Sequence, residues 1–216
     1  MDVREAAVAQ WDLLVARATG LEPPDLQQPT RLEPWRVRNL LAHVVRNVMA
    51  VTSALRRPAP ESRSVSLAGY YDESAKVAAA IRDRAAGETA SAEGLREAVE
   101  AAGKALAGVP DTRLVAVRLG NVTLEEFLVT RCVEGVVHGT DLAHAVLAHP
   151  HAWVEPAAVG VCAQHLAERV DQQVHITDRY AHFSACAVPV LDFVEWASGR
   201  IPAPHPELAA IRPVIT

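Results

Sequence analysis

The segment Thr123-Leu-Glu-Glu-Phe-Leu-Val-Thr-Arg-Cys-Val-Glu-Gly-Val-Val-His-Gly-Thr-Asp-Leu-Ala-His-Ala-Val-Leu-Ala148 decides how the rest of the chain is read. Thr123 offers an N-cap hydroxyl, and Glu125 and Glu126 follow in the first turn, where carboxylates complement the positive end of a helix. Pro150 cannot continue a helix, so the pattern predicts a long one from about Leu124 to Ala148. Phe127, Arg131, Glu134, His138, Asp141 and Ala145 recur at three- and four-residue steps and share one face. The other faces carry Leu128, Val129, Cys132, Val133, Val136 and Val137. A helix apolar nearly all round belongs at the centre of a bundle. Buried there, an Arg, a Glu, a His and an Asp are too costly to leave unpaired, so they need one another or a metal.

Outward from this helix the same 3.6-residue pattern repeats. Helices are predicted over residues 2–19, with Val3, Ala7, Trp11, Leu14 and Ala18 on one side, and from about Trp35 to Arg57, with Val37, Leu40, Leu41, Val44, Val48 and Val51. Others are predicted over about Ser66–Ala86 and Ser91–Ala107, then Pro156–Gln172 and Val188–Ser198. Leu21–Pro34 holds four prolines and reads as an ordered loop, and the tail after Arg200, also with four, as irregular. Arg113–Leu119 suits either a short strand or an extended connector. The composition agrees: 50% hydrophobic but only 5% aromatic residues give an Ala/Val/Leu core suited to close-packed helices. The expected architecture is mainly α, a four-helix bundle over residues 1–148 followed by a small, mostly helical C-terminal portion over 149–216.

Charge and composition exclude several functions. The net charge of −5, from 21 basic and 26 acidic residues spread along the chain, leaves no basic stripe for nucleic acid. The start, Met1-Asp2-Val3-Arg4-Glu5, lacks a signal-peptide pattern, and no apolar run nears the ~20 residues of a membrane span, so a cytoplasmic protein is expected. Cys132, Cys162 and Cys186 form no C-x-x-C pair and read as small buried hydrophobes. Cys132 lies about 200° round the helix from Glu134. Sulfur chemistry, if any, must therefore be brought in by a cofactor.

Glu134 and His138 are one helical turn apart, with Cβ atoms about 5–6 Å from each other, so both can grip one ion. On spacing alone a plain buried ion-pair network or a solvated helix face is the better reading of the pair, and a third ligand is wanted. By periodicity His43 sits at the border of its helix's apolar face, near Leu40 and Asn47, which alone suggests a half-exposed histidine. The other seven histidines (His144, His149, His151, His165, His175, His182 and His205) read as surface or cap residues. Gly135 and Gly139 flank the Glu134–His138 turn, at a cost of roughly 1 kcal/mol each against Ala, either for close helix approach or for ligand space.

The string W-x-V-R-N-L-L-A-H (Trp35 to His43), followed by R-x-x-E-x-x-x-H-x-x-D-L (Arg131, Glu134, His138, Asp141, Leu142), resembles the DinB-like superfamily. Within it the chain is most similar to the mycothiol-dependent maleylpyruvate isomerase group, over about residues 5–148. Trp196-Ala197-Ser198-Gly199-Arg200 resembles a W-x-x-G-R near the end of such proteins. The resemblance implies a DinB-like four-helix bundle in which His43, Glu134 and His138 bind zinc or another divalent ion. It further implies an open metal position that activates mycothiol or a similar low-molecular-weight thiol for isomerisation of a small electrophile, or for S-transfer to it. Arg131 and Asp141 then become candidate catalytic residues, Arg131 pairing with Glu134 or Asp141, and Asp141 orienting a ligand histidine. Small molecules are the expected partners, and a homodimer stays open. The alternatives are a non-catalytic metal-binding bundle with a stress or regulatory role, and a metal-free bundle used for dimerisation. The chain departs from the group in Asn39, where Asp is common, and in a C-terminal portion without clear alternating strands.

Overall fold

A computed structural model describes residues 2–174, 188–209 and 214. Helix α1 (Val3–Thr19) starts at Asp2, whose carboxylate accepts the backbone N–H of Arg4 and Glu5. Helices α2 (Val37–Leu55), α3 (Leu67–Ala86) and α4 (Ala92–Leu106) follow. Ser66 and Ser91 cap α3 and α4 through their hydroxyls. Helix α5 (Leu124–Ala145) opens on a reciprocal cap in which Thr123 and Glu126 each satisfy the other's backbone N–H. It ends a turn before the predicted Ala148, where Leu147 adopts a positive φ of 55°. Helices α6 (Pro156–Val174) and α7 (Val190–Ala197) complete the described set.

The bundle is made of α1, α2, α4 and α5, with α2 lying along α4 and α5, and α1 along α5 and α4. Trp11, Leu14, Leu40, Leu41, Leu95, Leu124, Phe127 and Leu128 fill its interior. Each such side chain contributes about 1.5–3 kcal/mol by leaving water. Among the described residues of α3 only Tyr71 and Ala85 are buried, so this helix lies on the outside of the bundle, against α2. Helix α6 packs on α5 and α1, and α7 on α6 and α5. The described C-terminal residues therefore extend the core past α5.

The Arg113–Leu119 stretch takes the strand form left open for it, and a second strand and a 3-10 turn go beyond the sequence reading. Leu114–Val117 is a strand, β1, and pairs antiparallel with β2 (Gly120–Thr123) from Leu114↔Thr123 to Val117↔Gly120. This hairpin delivers the chain to the α5 cap. Pro150–Trp153 forms a 3-10 turn against α5, with Pro150 as its first residue and His149 as its cap. No helix among the described residues is long and apolar enough to cross a membrane.

Candidate metal centre

Helices α2 and α5 run side by side, which brings residues 91 positions apart into contact. Glu134 Oε2 lies 3.2 Å from His43 Nε2 and 3.2 Å from His138 Nε2. The two imidazoles meet edge to face, with ring centroids 4.8 Å apart. The three donor atoms all fall within 4.8 Å of one another. Two ligands held about 2.0–2.2 Å from one tetrahedral ion stand about 3.3–3.6 Å apart, so the spacing of Glu134 from each histidine is close to that of a shared ion. Two imidazole nitrogens and a carboxylate oxygen are also a donor set that zinc accepts. The residues present fit a divalent ion.

Asp141 fixes the orientation of one candidate ligand, His138. Its Oδ2 lies 3.1 Å from His138 Nδ1, and its side chain is 0% exposed. Arg31 Nη2 reaches Oδ1 at 2.9 Å and Arg200 Nη2 reaches Oδ2 at 3.1 Å. Burial alone raises the pKa of a carboxyl, but the His138 hydrogen bond and the Arg200 charge outweigh it and hold Asp141 far below the usual carboxylate range. An ionised carboxylate only accepts, so Nδ1 of His138 carries a proton toward Asp141, which leaves Nε2 as the ring nitrogen that could bind an ion. Burial opposes the charge on His138 as well, yet Asp141 and Glu134 together raise its pKa.

His43 is less exposed than its place on the helix suggests, with a side chain only 12% accessible. Trp35 packs against it at 5.1 Å between ring centroids. Burial lowers the His43 pKa despite the neighbouring Glu134, which keeps the ring neutral. Its Nδ1 has no hydrogen-bond partner among the described residues, so only His138 has its tautomer set by a second group. Glu134 is driven well below its ordinary value, since the two histidines outweigh the burial that would raise it.

Arg131 pairs with neither carboxylate, contrary to the expectation. Its guanidinium donates to Asn47 Oδ1, to Tyr70 Oη at 3.1 Å and to Thr130 Oγ1 at 3.0 Å, and it lies 4.7 Å from the Phe127 ring centroid. Asn47 Nδ2 then donates to Glu134 Oε2 at 2.8 Å, so Arg131 reaches Glu134 through an amide from α2. Same-helix spacing pointed to Glu134 directly, but Asn47, one turn after His43, lies between them. Asn47 was legible as an i+4 neighbour of His43. Arg31 was not, since it sits in the proline-rich loop, and Arg200 stood out only as the end of the W-x-x-G-R resemblance, with no role attached to it.

Asn39 lies away from the centre. Its Oδ1 accepts from Arg36 N–H at 2.9 Å, and its Nδ2 donates to the carbonyls of Ala86 and Glu88 at 3.1 and 2.8 Å. The departure from Asp therefore falls on a cap joining α2 to the end of α3. Gly135 and Gly139 serve close approach rather than ligand space: an added Cβ would stand 2.9 Å from Gln10 Cγ and 2.6 Å from the Trp153 carbonyl, respectively. His144 contacts Glu195 at 3.2 Å, and His149 caps the 3-10 turn. His165 is buried rather than superficial, at 5% exposure. His175, His182 and Cys186 lie outside the described residues. Cys132 and Cys162 are both buried; burial pushes the Cys132 thiol up to about 12 and the Cys162 thiol higher still.

A cavity of about 270 Å³ opens beside the three candidate ligands. Its wall is supplied by α3 (Tyr71, Ala78, Ile81), by Trp35, and by Arg169 and Arg200 from the C-terminal portion. Arg131 and Asp141 are not among its lining residues.

Comparison with curated proteins and with solved structures returns no match. The family model described as the mycothiol maleylpyruvate isomerase N-terminal domain matches residues 7–143, a span that runs from within α1 to within α5 and takes in all three candidate ligands. On that match, and on a mainly helical fold consistent with the DinB-like superfamily, the chain belongs to the mycothiol maleylpyruvate isomerase N-terminal domain family.

Proposed function

We propose that this protein is a metal- and thiol-dependent enzyme that isomerises a small electrophile or transfers sulfur to it. His43, Glu134 and His138 are its metal ligands, zinc is its ion, and mycothiol or a similar low-molecular-weight thiol is its co-substrate. The observation that carries the reading is the convergence of two imidazole Nε2 atoms on one Glu134 oxygen at 3.2 Å, with the far side of His138 held by a buried aspartate. A bound divalent ion supplies Lewis acidity that lowers the pKa of a thiol at its open position.

The chain's own residues prepare that chemistry. Asp141 is a positioning residue: it keeps the proton of His138 on Nδ1 and the ring fixed toward the ligand set. Arg131 is a second one, holding Asn47 so that its amide restrains the Glu134 carboxylate. Neither buried cysteine is suited to attack, since a thiol with a raised pKa is a poor source of thiolate. That supports an exogenous thiol. The cytoplasm, where such thiols are kept reduced, is the compartment this chemistry requires. Residues 1–148 form the metal-binding unit in this reading, and 149–216 buttress it through Arg169 and Arg200; a homodimer remains compatible with it.

The test is His138→Ala, with His43→Ala beside it. Each variant is expected to stay helical and lose its metal, because the Ala/Val/Leu core does not depend on the ion. Metal content by mass spectrometry after dialysis, with a thiol-dependent conjugation assay, provides the readout. Stoichiometric metal in His138→Ala would sink the assignment.

A further inference from the structure

Tyr71 stands in the wall of the cavity that holds His43, Glu134 and His138, and it is 6% exposed. Its hydroxyl is buried and has no hydrogen-bond partner among the described residues. A buried hydroxyl left unpaired is destabilising, and natural structures contain few of them. The ring cannot swing away to find a partner. His165 stacks on it at 5.0 Å between centroids and 30° between planes, the Arg169 guanidinium lies 5.2 Å from its centroid, and Tyr70 abuts it at 5.7 Å. Arg169 is itself tied to α3 through the Ala68 carbonyl and Asp72. A rigid, unpaired donor beside a candidate metal centre is the arrangement of a ligand-binding group rather than of a core residue.

We infer that Tyr71 is the hydrogen-bond donor for an oxygen acceptor, a carbonyl oxygen in the simplest case, on the small molecule bound beside the metal centre. The inference rests on the metal–thiol reading above and adds to it a contact made by the reacting partner's oxygen. Burial first, and then the nearby Glu134 carboxylate, hold the phenol well above its usual pKa, so the group remains a protonated donor. Sulfur at the metal and oxygen at Tyr71 together select an electrophile or thiol that carries a carbonyl close to the reacting atom.

The experiment uses full-length protein loaded with Co²⁺, whose sulfur-to-cobalt charge-transfer absorption reports thiol binding. Methyl thioglycolate, which carries a carbonyl oxygen and no added donor, is titrated against 1-butanethiol in wild type and in Tyr71→Phe. The ratio of the two affinities, compared between the proteins, cancels the intrinsic acidity of each thiol. Loss of one neutral hydrogen bond corresponds to about three- to tenfold. Tyr71→Phe is therefore expected to weaken methyl thioglycolate by that factor while leaving 1-butanethiol and cobalt content unchanged. The metal-free variant should melt no lower than wild type, because the deleted hydroxyl had no partner.

An undiminished preference for methyl thioglycolate in Tyr71→Phe, or a lower melting temperature of the metal-free variant, would overturn the assignment of Tyr71 alone. Absence of a charge-transfer band with either thiol in cobalt-loaded wild type would overturn the metal–thiol reading, and this inference with it.

Discussion

Asp141 faces three cationic or protonated groups, His138, Arg31 and Arg200, from a position with no solvent contact. In Asp141→Asn the neutral amide can still meet Nδ1 of His138, but Arg200 loses its counter-charge and Arg31 keeps only Glu195, at 2.8 Å. Breaking a buried ion pair from one side costs about 3–5 kcal/mol, and the lower end is expected here because the Arg31 side chain, 24% exposed, can turn to water. The histidine also loses the charge that fixes its tautomer, so zinc affinity should fall about 10- to 100-fold. Competition with a chromophoric chelator measures the affinity and urea unfolding the stability. An affinity within twofold of wild type would mean that the carboxylate does not orient the ligand. His43, lacking an equivalent partner, offers no such lever.

At the level of helices, the glycines of α5 and α4 make opposite demands. Gly139→Ala places a methyl group 2.6 Å from a backbone carbonyl in the Pro150–Trp153 turn and 3.3 Å from Val154 Cγ1. Overpacking of this kind costs about 1–3 kcal/mol, which exceeds the helix-propensity gain of roughly 1 kcal/mol. Gly103, exposed on α4 with nothing within 4 Å of an added Cβ, receives only the gain. Gly139→Ala should therefore destabilise the protein and Gly103→Ala stabilise it by about 0.5–1 kcal/mol, as read by thermal or chemical denaturation; equal signs would refute the packing argument. The same contrast shows what the sequence could disclose. Helix α5 was legible end to end but for its last turn, because Thr123, Glu126 and the apolar spacing act locally. Strand β2 was hidden, since Gly-Asn-Val-Thr is too short to show alternation and its pairing depends on β1. The trio of candidate ligands was assembled only through resemblance, as nothing in the α2 pattern singles out His43. Asn47, Tyr71 and Arg31 earn their roles from partners dozens of residues away, and no periodicity reports on those.

Across the whole molecule, α3 is tied on one side to α2, through Asn39 on the Ala86 carbonyl, and to Trp35, through the Arg82 carbonyl, and on the other to α6, through His165 stacked on Tyr71 and Arg169 bonded to Ala68 and Asp72. Burial holds the His165 pKa down to about 4, against an ordinary value of 6.5, and both ring nitrogens lack partners among the described residues. A depressed folded-state pKa means that the unfolded chain takes up the proton first. Stability from this group is present in full above about pH 6.5 and is lost as the pH falls toward 4, a total of about 3 kcal/mol at about 1.4 kcal/mol per unit. Unfolding free energies of the metal-free protein, measured from pH 7 to 4, should therefore slope more steeply in wild type than in His165→Gln; parallel curves would show that the imidazole is not responsible. The shared carboxylate of Asp141 has a further consequence, in time rather than energy. Its second guanidinium, Arg200, lies 59 residues downstream. At about 5–20 residues per second, a ribosome delivers that arginine roughly 3–12 s after the aspartate it neutralises. During those seconds a nascent bundle already carries His43, Glu134 and His138, while the clamp on His138 has only one of its two arginines.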